Sequence, residues 1–219
     1  MTQSRSEIKR KNSPMISAII PAFNEEKTVG NVVRSALNHV DEVVVVDDCS
    51  TDGTSDVAAD AGAEVIKHQR NMGVVKAIGS GFEKAKGEIL ITLDADGQHD
   101  PADIPLLIEP ILNDQADLVL GRRPSIPHFS ERFITSLTRF RVDCSDASTG
   151  FRAIRRHIAM EMKLRGSCLC GTFILEADRL GARIAEVPIT IKARREGGRR
   201  IQTRHLKQIF HVLYELIRA

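Results

Sequence analysis

The 219-residue sequence has no tryptophan and a single tyrosine, and its 31 basic and 29 acidic residues leave a formal net charge of only +2. A nucleic-acid surface interleaves cations with aromatics that stack on bases, so this composition argues against nucleic acid as a partner. Long apolar runs are missing too: residues 43–46 are typical of the longest, far short of the roughly 20 needed to cross a bilayer. No transmembrane segment is expected. Residues 1–14 are polar and basic, without the apolar stretch of a signal peptide, and read as a disordered leader on a cytoplasmic protein. Cys49, Cys144, Cys168 and Cys170 are too few and too scattered for a disulfide scaffold, and they lack the paired spacing of a zinc site. Free thiols are expected.

What is present is an ordinary globular composition, 42% hydrophobic and 27% charged. The charge is unevenly distributed. Residues 192–219 hold eight basic and two acidic residues, net +6, which leaves 23 basic against 27 acidic, net −4, in the rest. The length suits one domain over residues 15–201 followed by an amphipathic C-terminal helix over 202–219.

Short β-branched runs at 16–20, 43–46, 64–66, 89–93 and 118–120 read as buried strands. Between them, 28–40, 54–61, 74–86 and 102–113 read as helices. Strand and helix alternating in this way predict an α/β fold, a mostly parallel doubly wound sheet with helices on both faces. After Gly121 the alternation becomes irregular: an amphipathic piece around Phe133, Ile134, Leu137 and Phe140, a strand at 151–154, a helix at 173–180, a strand at 184–191 and a closing helix at 203–218.

In open parallel sheets ligands bind at the carboxyl ends of strands. Three of the predicted strand ends carry acids: Asn24-Glu25 after the first, Asp47-Asp48 after the second, and Asp94-Ala95-Asp96-Gly97-Gln98-His99 after the fourth. Carboxylates gathered on one rim repel one another unless a cation sits among them. Asp94, Asp96 and Gln98 offer oxygen ligands at alternate positions, a set suited to Mg²⁺ or Mn²⁺ rather than zinc. Asp48 lies where a nucleotide-binding sheet accepts a ribose hydroxyl or a base edge, yet the glycine-rich dinucleotide fingerprint is absent from the first strand. A nucleotide held through a metal is the expectation.

Several ordered motifs bear on identity. Pro21 with Asn24-Glu25, the 43–48 strand with Asp52-Gly53-Thr54, Asn71 with Gly73, the 94–99 segment, Gly121-Arg122-Arg123, the 146–152 segment ending Gly150-Phe151-Arg152, and Arg194 with Gly197 and Arg200 follow one another along the chain. Together they resemble the family-two inverting glycosyltransferases, within them the dolichol-phosphate mannosyltransferase and polyprenyl-phosphate glycosyltransferase group. The likeness spans residues 15–201. It implies the A-type glycosyltransferase fold and transfer of a sugar, from a donor of the GDP-mannose or UDP-glucose type, to a polyprenyl phosphate. By that resemblance Pro21, Phe23, Glu25, Val46 and Asp48 hold the nucleoside, while Asp94, Ala95, Asp96 and Gln98 hold the diphosphate through the metal. Arg123 matches an arginine near the acceptor phosphate, and Arg194 and Arg200 match a basic pair closing over the phosphates. Asp94, Asp96 and Arg123 are the implied catalytic residues. The alternatives are transfer to a soluble sugar or other small acceptor, and a nucleotide-sugar-binding protein without turnover.

The remaining residues carry plainer expectations. His99 reads as a loop residue, Glu176 as a paired acid on a helix, and Asp146 either as an orienter of Arg123 or as an Asx turn before Gly150. Leu206, Phe210, Leu213 and Ile217 form one stripe on the last helix. Docking on the domain, self-association as a homodimer, a separate membrane subunit and peripheral contact with an anionic membrane are its candidate roles.

Overall fold

A computed structural model of the chain describes residues 13–192 and 202–218. The central strand β1 (Ile16–Ala22) shows why the sheet is covered on both faces. Ala18 and Ile20 point into one apolar cluster and Ile19 into the other, all three at 0% exposure. A strand apolar at odd and even positions alike has no solvent face. β2 (Glu42–Asp47) runs parallel beside it, with Ile19 opposite Val44, and β3 (Glu64–Lys67) extends that edge. The chain then crosses back, and β4 (Ile89–Thr92) pairs in parallel with the other edge of β1. The full order is β3-β2-β1-β4-β6-β5-β7. Growth of the sheet reverses between β1 and β4, and a crevice opens at the carboxyl ends of strands at such a point.

One face is covered by α1 (Val29–Ala36), α2 (Thr54–Asp60) and α4 (Ile104–Leu112). The other carries α3 (Val74–Lys84), α5 (Phe129–Thr138), α6 (Arg156–Glu161), α7 (Thr172–Arg179) and α8 (Gln202–Arg218). α3 lies close on the sheet because Gly81 has no side chain: a Cβ there would collide with Ile19.

The five predicted strands correspond to β1–β5 and the four predicted helices to α1–α4, the last entered by a short 3₁₀ turn at Pro101–Asp103. Asp100 accepts a hydrogen bond from Ala102 N (3.2 Å) to start that turn. In the irregular half, the strand predicted at 151–154 is β6 (Arg152–Arg155), and it is antiparallel to both β4 and β5. β7 (Ile184–Pro188) pairs in parallel with β5 (Leu118–Arg122). The antiparallel direction matters for the site, because it brings the first residue of β6, Arg152, to the same end of the sheet as the last residues of its neighbours.

The last helix needs a correction. Of its predicted stripe, Phe210, Leu213 and Ile217 are exposed, at 71%, 40% and 85%. The side that packs against α5 and α7 carries Gln208, Val212 and Glu215, all buried. Gln208 explains the choice. Its Oε1 accepts Ser167 N (3.0 Å) and Cys168 N (3.2 Å), and its amide donates to Cys170 O (2.9 Å) and Thr172 Oγ1 (3.1 Å). A fully bonded buried amide anchors a loop as an apolar residue cannot. Among the described residues no helix is long and apolar enough to cross a membrane.

Candidate active site

The carboxyl ends of β1 and β2 are stitched to each other. Asn24 and Cys49 both adopt positive φ, 54° and 69°, conformations that non-glycine residues hold only when surroundings enforce them. Ser50 Oγ accepts Asn24 N (2.9 Å), Asn24 Oδ1 accepts Thr51 N (2.8 Å), and Asp47 Oδ1 accepts Ser50 N (2.8 Å). Asp48 is only 4% exposed. Its Oδ1 meets His68 Nδ1 and Met72 N, both at 2.8 Å, and its Oδ2 accepts Gly73 N at 2.7 Å. A carboxylate has about four acceptor positions, so protein groups already take most of those of Asp48, fixing the loop that leads into α3.

The end of β4 is arranged differently. Asp94 keeps 46% of its side chain exposed, and Asp96 Oδ1 accepts Gln98 N (3.0 Å) across Gly97, whose φ of 72° closes the turn. Gly150 lies against Asp94, where a Cβ would collide with the carboxylate. Lys192 N donates to Gln98 O (2.8 Å), and the Lys192 ammonium pairs with Asp100 (2.6 Å).

Beside this turn is a cavity of about 550 Å³ at the β1/β4 crevice, lined by Pro21, Asp94, Gln98, His99, Arg123 and Arg152 among others. Arg123 follows β5, and its guanidinium is braced: Nε and one terminal nitrogen donate to the Asp146 oxygens (2.6 and 2.9 Å), and the same terminal nitrogen to Glu131 on α5 (3.1 Å). Burial opposes its charge, but Asp146 and Glu131 outweigh that and hold it above the ordinary arginine value. Asp146 also accepts Ser148 N (3.1 Å), so it acts as orienter and Asx turn together. His99 is buried against Phe151, with Nδ1 3.5 Å from Asp94 Oδ2. Burial depresses its basicity while Asp94 pulls the other way, and the net shift is downward.

The comparisons with known proteins converge on one family. The model for glycosyl transferase family 2 matches residues 17–173. The chain belongs to this family. It is 32% identical over 213 residues to a UDP-N-acetylglucosamine–dolichyl-phosphate N-acetylglucosaminyltransferase of Methanococcus voltae, covering 80% of this chain and 84% of that one. It is 28% identical over 229 residues to a dolichol-phosphate mannosyltransferase of Pyrococcus furiosus, covering 93% and 64%. A solved glucosyl-3-phosphoglycerate synthase of Mycobacterium tuberculosis, in complex with Mn²⁺, UDP-glucose and phosphoglyceric acid, superposes with a TM-score of 0.81 at 24% identity over 94% of this chain and 81% of that one. The A-type glycosyltransferase fold and the transferase class expected from the motifs therefore hold for this glycosyltransferase.

Of the residues that the motifs single out, the structure brings Pro21, Asp94, Gln98 and Arg123 onto one cavity. Asp96 sits in the same turn, and Ala95 is buried at 4% between the two acids. Phe23 and Glu25 lie in the loop after β1, half-buried, with Glu25 accepting from Thr28 Oγ1 (3.1 Å). Val46 is a core residue at 0% exposure, packed in the cluster beneath α3. Arg194 and Arg200 lie outside the described residues. Glu176 is paired with Arg179 (2.7 Å) and accepts Lys163 N (2.9 Å), and the four cysteines are free. Sequence reasoning missed Glu131 and His68. Glu131 could have been suspected as a lone acid amid the apolar positions of α5, but His68 acts through Asp48, 20 residues away.

The donor set for a divalent cation passes a chemical test. Asp94, Asp96 and Gln98 supply hard oxygen donors, and Mg²⁺-type ions are commonly held by one or two carboxylates with substrate phosphate and water completing the shell. Among the described residues no cluster of three or more His, Cys, Asp or Glu side chains is placed to cage a metal.

Proposed function

We propose that this protein transfers a sugar from a nucleoside diphosphate to a polyprenyl phosphate, with inversion at the anomeric carbon. The observation that carries the reading is the cavity itself, which gathers hard oxygen donors at Asp94 and Gln98, the cations Arg123 and Arg152, and apolar lining from Ile78, Leu93 and Leu169. Two relatives are named for transfer to dolichyl or dolichol phosphate, which supports the acceptor class. The neighbour with Mn²⁺ and UDP-glucose bound supports the donor class and the cation.

The residues of this chain then have separable tasks. Asp94, Asp96 and Gln98 would hold a Mg²⁺ or Mn²⁺ ion. When bound, such an ion supplies charge neutralisation for the leaving diphosphate. The loops after β1 and β2, made rigid by the Asn24, Ser50 and Asp48 bonds, shape the nucleoside end with Pro21, Phe23 and Glu25. A phosphate monoester has its second pKa near ~6, so the acceptor is already a dianionic nucleophile at neutral pH and needs cations and orientation more than a general base. Arg123, braced by two acids, gives a fixed positive edge to the cavity wall. Arg194 and Arg200 would add cations from the segment that follows Lys192.

The lipid tail of such an acceptor requires apolar surface near the cavity mouth. Phe129 and Phe133 stack at 6.5 Å on α5, the helix whose Glu131 faces the cavity, and are 75% and 41% exposed. Paired exposed aromatics suit shallow contact with a membrane, which would make the association peripheral. The test is incubation with labelled UDP-glucose, UDP-N-acetylglucosamine or GDP-mannose, a short polyprenyl phosphate and Mg²⁺ or Mn²⁺. Labelled lipid is the expected product. Absence of lipid-linked label with every donor, against label transferred to phosphoglyceric acid, would replace the lipid acceptor by a soluble one.

A further inference from the structure

Three buried side-chain polar atoms among the described residues lack a hydrogen-bond partner: His99 Nδ1, Ser148 Oγ and Arg152 Nε. All three residues line the same 550 Å³ cavity. Unpartnered buried polar atoms are rare in folded proteins and call for a ligand or ion. Arg152 is the most demanding of the three. It is 2% exposed, with its guanidinium carbon 4.7 Å from the centroid of the Phe173 ring. Burying a guanidinium is unfavourable unless something neutralises it.

The nearby acids do not. Asp146 is bonded to Arg123 and to Ser148 N. Asp94 is half-exposed and lies 3.5 Å from His99, and no ion pair among the described residues includes Arg152. Burial lowers the basicity of Arg152, opposed by the pull of Cys170, Asp94 and Asp146, yet a guanidinium stays protonated in proteins. The two cavity arginines are therefore unlike. Arg123 arrives with two carboxylates of its own, whereas Arg152 arrives with none.

We propose that Arg152 and Ser148 form an oxyanion subsite in the cavity, which takes one phosphate group of a reactant. The chemistry is common to two sources, the monoester of the acceptor and the diphosphate of the donor. Arg152 opens β6, opposite Thr92 on β4 and Leu120 on β5, which puts it at the sheet end where Asp94 and Arg123 also stand. The substrates it would serve rest on the function proposed above, although anion binding itself does not.

The test titrates wild type, Arg152→Lys and Ser148→Ala by calorimetry in three arms: inorganic phosphate alone, UDP with Mg²⁺, and a short prenyl monophosphate with UDP and Mg²⁺ already bound. Arg152→Lys should weaken anion binding about tenfold or more, because a charge-assisted, directional donor is lost. Ser148→Ala should weaken it about threefold or more with an unchanged or raised melting temperature, since an unbonded buried hydroxyl contributes nothing to folding. Loss in the prenyl arm assigns the subsite to the acceptor, and loss in the UDP arm to the leaving group. Should Arg152→Lys fail to fold, Ser148→Ala decides alone. Wild-type affinity for every probe in the folded variants, or no binding of any probe by the wild type, overturns the subsite. If no sugar is transferred but the phosphate arm still responds to the variants, the proposed function falls and the subsite stands.

Discussion

At the amino ends of its strands the sheet closes its charges on one another. Asp117, just before β5, is bound by Arg183 (2.9 Å) and Arg155 (3.0 Å), and Asp114 by the same two arginines. Glu42, at the start of β2, accepts from Ser17 Oγ and from Lys86 N, both at 2.6 Å. At the carboxyl end of β4 and the start of β6 the pattern is the opposite. Asp94 stays half-exposed, and the orphaned atoms of His99, Ser148 and Arg152 all face one cavity. The two ends draw on the same residue types. What differs is whether the partner is another part of the chain, and on the proposed function that difference separates groups that stabilise from groups that bind.

The largest effect expected from breaking this contrast is functional. Asp96→Ala removes a proposed metal ligand and should reduce sugar transfer by roughly 10²-fold or more, while loss of the turn bond from Gln98 N should lower stability, read from a denaturant midpoint, by about 1 kcal/mol. A large loss of stability would instead place Asp96 with the self-bonded acids.

Asp146→Ala probes an exception at that end, Arg123, a cation that brings two acids of its own. Removing the main partner of a buried arginine should cost about 3 kcal/mol in urea unfolding, and activity should fall with it. Glu131→Gln, which leaves Asp146 in place, should cost less.

The smallest effect belongs to the opposite end and is read by pH. Arg183 and Arg155 hold the Asp117 carboxyl well below the usual carboxylate range, against the effect of its burial, and Asp114 is lowered by the same arginines. A carboxylate depressed in the folded state adds stability above its unfolded value of about 4, and that contribution is lost as pH falls below it. Melting temperature should therefore drop as pH is taken from 6 towards ~3, more steeply in the wild type than in Asp117→Asn. After solvent screening, Asp117→Asn should cost about 1 kcal/mol at neutral pH, less in high salt, with transfer rates unchanged.

Much of the fold was legible because its signals are local. The alternation of β-branched runs with amphipathic stretches located β1–β5 and α1–α4, and one of the acidic clusters, 94–99, lies on the cavity. The less regular half was harder to read. The direction of β6 is set by its pairing with Ile89–Thr92 and Leu118–Leu120 rather than by anything in residues 152–155. For the last helix an apolar stripe suggested a docking face, yet burial chose Gln208 and Val212, because Gln208 completes four bonds to the 167–172 loop.

By itself the sequence determined the α/β class, the glycosyltransferase family and a set of candidate site residues. Only the tertiary structure decided which of those residues are available. Asp48 and Asp94 look alike as acids after a strand, but Asp48 meets backbone N–H groups 24 and 25 residues away, and Asp94 stays half-exposed beside Gly150 and His99. Arg123 and Arg152 look alike as arginines in adjoining motifs, but only Arg123 has Asp146, 23 residues on, against its guanidinium. Hydrogen-bond capacity is a property of a residue, whereas its saturation depends on what the fold packs against it, and the unsaturated residues are those left to bind.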